Sequence, residues 1–106
     1  MVDVWNWRSS PKNVWGPAGW QWLHDLARRY PVHAVHEDRE LAHTRIYNFL
    51  SSLECPECKF HALEYFAKKP PNLSGRSALV YWTWEFHNDV NKRLGKKLFP
   101  YSAVQW

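Results

Sequence analysis

Residues 76–94, RSALVYWTWEFHNDVNKRL, carry the clearest helical pattern in this chain of 106 residues. Large apolar side chains recur there at the spacing of one face of an α-helix. Gly95 follows directly and suits a helix C-terminus, because glycine adopts the left-handed conformation without a steric penalty. Ser74 is a candidate N-cap. We therefore predict a long helix whose buried stripe consists of Leu79, Trp82, Phe86 and Val90.

A second strip on the same segment is polar and aromatic. Trp84, His87, Asn88 and Asn91 lie at i, i+3, i+4 and i+7, so they form a contiguous band beside the apolar stripe. Such polar groups need partners if they are buried, because an unpaired one costs about 1–3 kcal/mol. Two interpretations stay open from the pattern alone. The strip is either solvated surface or the lining of a pocket for a flat polar ligand.

Three further helices are predicted upstream, over about 16–30, 38–53 and 55–69, and Pro31 and Pro70 mark the ends of the first and third. The predicted buried side chains are Trp20, Leu23, Ala27 and Tyr30 in the first; Ala42, Ile46, Phe49, Leu50 and Leu53 in the second; and Phe60, Leu63, Phe66 and Ala67 in the third.

The expected fold class is therefore all-α, because no segment has a convincing strand pattern. We expect a four-helix bundle with a short fifth helix after Pro100. Residues 1–13 are predicted to be an N-terminal arm, and residues 14–106 to form one domain.

Composition excludes several classes of protein. Hydrophobic residues make up 45% and aromatic residues 17% of the chain, which is incompatible with a disordered protein. No apolar run approaches the roughly 20 residues of a membrane span. Residues 1–11 contain two tryptophans and lack the apolar core of a secretory signal, so we expect a cytoplasmic protein not secreted by its own signal. The net charge of +4 is mild and no basic cluster is large, so nucleic-acid binding is not expected.

The only two cysteines, Cys55 and Cys58, form a C-x-x-C pair with Pro56 at the first helical position. The amide N–H groups and the dipole at a helix start stabilise a thiolate, which is the reactive form in disulfide exchange. The spacing also occurs in zinc sites, where His61 could serve as a third ligand. Redox chemistry, zinc binding and an inert pair therefore all remain open from spacing alone, with redox chemistry favoured.

Trp20 and His24 lie one turn apart on the first predicted helix, which Tyr30 closes. An aromatic ring with a histidine at i+4 can bind a planar ligand by stacking and hydrogen bonding, although a core tryptophan beside a histidine is the more ordinary arrangement.

The order of these motifs resembles that of the Erv/ALR family of FAD-dependent sulfhydryl oxidases. The shared stretches are Trp15–His24 with Tyr30-Pro31, Cys55–Cys58, and Trp82–Lys96. The resemblance covers about residues 14–106, and the His-Asn-x-Val-Asn-x-x-Leu-x-Lys stretch is its most specific part.

The resemblance implies a four-helix bundle that holds FAD at its mouth, and a homodimer. Cys55 and Cys58 would be the catalytic pair, with Cys58 facing the flavin. The residues implied to bind the cofactor are Gly16, Trp20, His24, Tyr30, Trp84, His87, Asn88, Val90, Asn91, Lys96 and Trp106.

The implied reaction is the oxidation of substrate thiols, with electrons passing through the flavin to dioxygen and yielding hydrogen peroxide. Expected partners are thiol-containing proteins or a thioredoxin-like carrier, with no nucleic acid and no membrane. The alternative is a zinc-binding C-x-x-C module without catalysis.

The chain departs from many family members because it has no cysteines beyond the pair. Without a shuttle cysteine in residues 1–13, we expect substrates to reach Cys55 directly or through a separate carrier. This minimal form resembles the enzymes of large cytoplasmic DNA viruses, and the Tyr81–Asn88 run is similar to that of one such enzyme. A viral protein of this kind would act in the host cytoplasm or the virus factory.

Overall fold

The computed structural model describes residues 16–98 and Pro100, and within that range the chain contains four α-helices and no strand. The helices are α1 (Gly16–Arg28), α2 (His36–Ser51), α3 (Pro56–Lys68) and α4 (Arg76–Arg93). The predicted all-α bundle is confirmed. The predicted N-terminal arm and the short fifth helix after Pro100 lie outside the described residues. No helix in the described range is long and apolar enough to cross a bilayer.

The bundle consists of two helix pairs around one core: α1 packs chiefly against α4, and α2 against α3. Fully buried side chains from both pairs meet in the centre, including Leu23, Leu50, Leu79 and Phe86. Tyr30 joins the end of α1 to the segment before α4, because its hydroxyl donates to the Leu73 carbonyl at 2.7 Å.

The buried face of α3 differs from the prediction. Phe60 and Ala67 are exposed, whereas Ala62, Tyr65 and Phe66 face the core. The helix has apolar side chains on two faces, and the sequence pattern alone selected members of both. The prediction was right for Phe66, and Leu63 is partly buried.

The two ends of α4 show how glycine shapes this bundle. Gly75 is the N-cap and lies against the Val32 carbonyl, so a side chain there would collide with backbone. The prediction of Ser74 as the cap was wrong, since its hydroxyl donates instead to the Asn72 side chain at 2.8 Å. At the other end Gly95 has a φ of 73°, and the predicted helix stop is confirmed.

Gly95 also turns the chain back onto α4. The Gly95 N–H donates to the Lys92 carbonyl at 3.2 Å, and the Lys96 N–H donates to the Asn91 carbonyl at 2.7 Å. These two bonds form a Schellman motif, the usual way to satisfy the last carbonyls of a helix. The turn fixes Lys96 close to the last buried residues of α4.

Candidate active site

The two cysteines lie at the start of α3, as the sequence predicts, and their thiols are free and partly exposed. Cys55 is the N-cap, and its Sγ accepts a hydrogen bond from the Cys58 N–H at 3.3 Å. Pro56 occupies the first turn, where its missing N–H leaves no donor unsatisfied.

The two thiols have opposite electrostatic environments. Hydrogen bonds from the Cys58 side chain and from its backbone N–H lower the pKa of Cys55 below the ordinary value. Burial, followed by the hydrogen bond to Cys55, raises the pKa of Cys58 to about 11. Cys55 is therefore the more acidic thiol of the reduced pair, and Cys58 is the one that holds its proton more tightly.

A cluster of aromatic rings joins α1 to α4. The rings of Trp20 and His87 stack with centroids 3.5 Å apart and an angle of 8° between their planes. His24 Nε2 lies 3.0 Å from His87 Nδ1, so one imidazole donates to the other. Phe86 packs against Trp20 from the core side, with centroids 5.8 Å apart. This cluster brings together three of the residues predicted to hold a planar cofactor.

Both imidazoles in the cluster are neutral. Burial, with a smaller effect from Arg28, lowers the pKa of His24 to about 3. Burial also lowers the pKa of His87 well below its usual value, helped by His24 and by the nearby charge of Lys96. His87 is fully buried and His24 is partly buried, and a hydrogen bond between two neutral imidazoles places no charge in the interior.

Asn91 lies one turn beyond His87 and is almost completely buried. No group in the described part of the chain accepts a hydrogen bond from its side-chain nitrogen Nδ2. A buried amide donor without an acceptor is rare in folded proteins, so Asn91 is a candidate to bind a ligand at this position. Val90, beside it, is a core residue that packs in the bundle interior.

The predicted polar strip on α4 is split by the fold. His87 and Asn91 are buried, whereas Trp84 and Asn88 are only half buried. The latter two face a groove of about 560 Å³ between α4 and the end of α3, which Tyr65 also lines. The strip therefore matches neither interpretation as a whole, because one half of it is buried in the bundle and the other half lines a surface groove.

The remaining predicted residues lie at the edges of the site. Gly16 begins α1, one turn before Trp20. Tyr30 is buried at the other end of α1, where its carbonyl accepts from Arg76 at 2.7 Å. The structure thus gives Tyr30 a structural contact rather than a place beside the histidines. Trp106 lies outside the described residues.

Sequence reasoning missed two contributors to the cluster. Phe86 was assigned to the core stripe alone, although it also packs on Trp20. Arg28 was not considered, yet it helps to keep His24 neutral. The position of Arg28 four residues after His24 is the signal that could have identified it.

Metal binding has no support in the geometry. Within residues 16–98, no three His, Cys, Asp or Glu side chains form a group that could hold a metal ion. His61 lies 3.9 Å from the Glu57 carboxylate, one helical turn away on α3.

Comparison with known proteins gives a consistent result. The sequence profile of the Erv1/Alr family matches residues 17–106. An FAD-linked sulfhydryl oxidase of African swine fever virus is 40% identical over 91 residues, which cover 86% of this chain and 76% of the viral protein. The yeast FAD-linked sulfhydryl oxidase Erv2 is 33% identical over 89 residues, which cover 84% of this chain and 45% of Erv2. Among solved structures, the FAD-binding domain of yeast Erv1 is similar, with a TM-score of 0.76 at 28% identity, covering 78% of this chain and 79% of that domain.

Proposed function

The chain belongs to the Erv1/Alr family, and we propose that it is an FAD-dependent sulfhydryl oxidase that introduces disulfide bonds into substrate thiols. Electrons pass from the Cys55–Cys58 pair through the flavin to dioxygen, which yields hydrogen peroxide. The observation that carries the proposal is the pair of unequal thiols at the start of α3, one of them partly exposed and stabilised as a thiolate. Neither the geometry nor the relatives support the alternative of a zinc module.

Disulfide exchange at the pair begins with the oxidised form. A substrate thiolate attacks Cys55 Sγ, the Cys55–Cys58 bond breaks, and a mixed disulfide forms between the substrate and Cys55. A second substrate thiol then attacks the mixed disulfide and releases Cys55. Cys55 leaves readily as a thiolate, because hydrogen bonds from Cys58 lower its pKa. The substrate loses two electrons and two protons, and the enzyme pair gains them.

Cys58 is suited to pass the electrons inward. It lies on the core side of α3, and its burial raises the pKa of its thiol to about 11, so the chain alone does not stabilise a Cys58 thiolate. The bound flavin supplies an electron-accepting ring, to which this dithiol would transfer its two electrons.

The α1–α4 cluster fits a flavin nucleotide. The buried amide nitrogen of Asn91 is available to a polar ligand, and Trp20, His24 and His87 offer aromatic rings and neutral imidazoles to a planar one. Lys96 adds a cation suited to phosphate groups. We assign cofactor binding to these residues and, from the family resemblance, to Gly16, Tyr30, Trp84, Asn88, Val90 and Trp106.

The experiment that tests the proposed function is thiol-dependent oxygen uptake with dithiothreitol as the substrate. Cys58→Ser should abolish uptake while the flavin stays bound, because the electron path to the ring is lost. Lys68→Gln, at the far end of α3, is the matched control and should keep full activity. Turnover retained by Cys58→Ser would show that Cys58 is not the cysteine beside the flavin.

A homodimer is a further part of the proposal, supported by one surface. Trp22 is 38% and Leu41 is 55% exposed, and both line a pocket of about 410 Å³ between α1 and α2. Arg45 and Asp38 line the same pocket, so a two-fold axis that passes between these two side chains would place opposite charges face to face. Sedimentation of Leu41→Asp should then show monomers, and an unchanged dimer would exclude this surface as the interface.

We also propose that the protein acts in the cytoplasm of a virus-infected cell, where a thioredoxin-like carrier would be one substrate. The similarity to the African swine fever virus protein and the presence of only two cysteines support this location. Detection of the protein by fluorescence microscopy in an oxidising organelle instead would contradict it.

A further inference from the structure

Helix α3 has a second apolar stripe that faces solvent. Pro56, Phe60, Leu63 and Ala67 are spaced at i, i+4, i+7 and i+11, so they line one side of the helix. We call these four residues the outer strip. Three of them are exposed and Leu63 is half buried. The opposite side of α3 packs into the core through Ala62, Tyr65 and Phe66.

Phe60 is the most prominent member of the outer strip. It is 63% exposed, more than any other large hydrophobic side chain in the described part of the chain. Among the described residues, its ring contact is edge-on to the neighbouring His61, with centroids 5.5 Å apart. An exposed phenylalanine contributes nothing to the core and is typical of surfaces that bind another molecule.

The outer strip begins at the redox pair. Pro56 directly follows Cys55, and Phe60 lies about 7 Å further along the axis of α3, given the rise of a helix. Two to three residues of an extended peptide span that distance. A substrate joined to Cys55 Sγ therefore reaches Phe60 with the residues that flank its own cysteine.

The outer strip begins beside two carboxylates, which would repel an acidic substrate segment. Glu54 and Glu57 are both exposed and flank Cys55 in sequence. Glu64, further along α3, is neutralised by Lys68 at 3.2 Å. Lys59, in the first turn of α3, offsets one of these two carboxylates, so the charges within four residues of Cys55 sum to −1, although the chain carries +4 overall. This charge favours a basic substrate segment over an acidic one.

We propose that the outer strip, with Phe60 at its centre, is the docking surface for the substrate segment around the reacting cysteine, and that it selects apolar, non-acidic flanking residues. This inference rests on the proposed function, because it assigns a substrate class to the same pair. The chemistry is the exchange already described, in which a dithiol peptide becomes a disulfide and the Cys55–Cys58 pair becomes a dithiol. Phe60 acts by positioning the substrate and touches no reacting atom.

The test compares small and peptide thiols on the flavin-loaded protein. The probes are dithiothreitol and two dithiol peptides, one with leucine and lysine beside the cysteines and one with glycine and aspartate. For Phe60→Ser we expect about a 10-fold lower kcat/KM with the leucine-containing peptide, mainly through KM, since the change removes most of one phenylalanine contact. Oxidation of dithiothreitol should be unchanged, since it is too small to reach the outer strip.

Two further variants make the test specific. Phe60→Leu keeps an apolar side chain and should restore most of the activity toward the leucine-containing peptide. Tyr47→Ser removes a half-exposed aromatic ring from α2 and should leave both peptides unaffected. Equal losses with dithiothreitol and peptides, or equal kcat/KM of the wild type for both peptides, would overturn the docking surface. A wild type that does not oxidise dithiothreitol would instead contradict the proposed function itself.

Discussion

The neutral histidine pair makes the stability of the bundle depend on pH in a defined direction. The pKa of His24 is lowered from 6.5 to about 3, so the unfolded chain binds a proton in that interval and the folded chain does not. Stability therefore falls as the pH drops below 6.5, by about 1.4 kcal/mol per pH unit for a single group. Between pH 7 and pH 5, protonation at His24 should thus remove about 2 kcal/mol. His87, whose pKa is lowered in the same direction, adds to this loss.

The perturbation that isolates His24 is His24→Gln, which retains hydrogen-bonding groups but cannot titrate. Urea unfolding at pH 7 and pH 5 measures the difference for each protein. The loss on acidification should be about 2 kcal/mol smaller in the variant than in the wild type. Ile46→Val is the matched control, because trimming this fully buried side chain costs about 1 kcal/mol and leaves both histidines intact. Equal acid losses in His24→Gln and the wild type would refute a His24 that stays neutral in the folded protein.

Two other predictions concern the cysteine pair and the cofactor cluster. In the reduced protein, limiting iodoacetamide at neutral pH should alkylate Cys55 before Cys58. The Cys58→Ala variant should label more slowly at Cys55, because it lacks the side-chain hydrogen bond that lowers the Cys55 pKa. Peptide mass spectrometry distinguishes the two sites, and preferential labelling of Cys58 would contradict the assigned order. The Asn91→Leu variant should lose flavin on gel filtration. Without flavin, it should unfold at the same urea concentration as the flavin-free wild type or at a higher one, because the Asn91 Nδ2 has no acceptor among the described residues. A marked loss of stability in the flavin-free variant would instead indicate a structural role for Asn91.

The periodicity of α4 was sufficient to predict its buried face, because its stripe of large side chains coincides with the core. In α3 the same reasoning was wrong for Phe60 and Ala67. Both faces of that helix are apolar, and periodicity reports the spacing of side chains without reporting which side is covered. The exposed face that carries Phe60 and Ala67 is the outer strip, which we propose as the docking surface for the substrate.

In the candidate site, too, the sequence predicts local features but not contacts that the packing of helices creates. Cys55 and Cys58 are only three positions apart in sequence, so their position at a helix start could be predicted from local signals. The hydrogen bond between His24 and His87 joins residues 63 positions apart, and only the packing of α1 on α4 creates it. Tyr30 shows the same limit, because its place in the motif does not reveal that its hydroxyl donates to the Leu73 carbonyl.

Anaerobic reduction of the bound flavin by dithiothreitol tests the central claim most directly. The protein loaded with FAD should show the visible absorption of an oxidised flavin, and a dithiol should bleach it rapidly through Cys55 and Cys58 in the absence of oxygen. In Cys58→Ser the flavin should remain bound and oxidised under the same conditions. A chain that retains no flavin, or a flavin that dithiothreitol reduces equally fast in Cys58→Ser, would contradict the account.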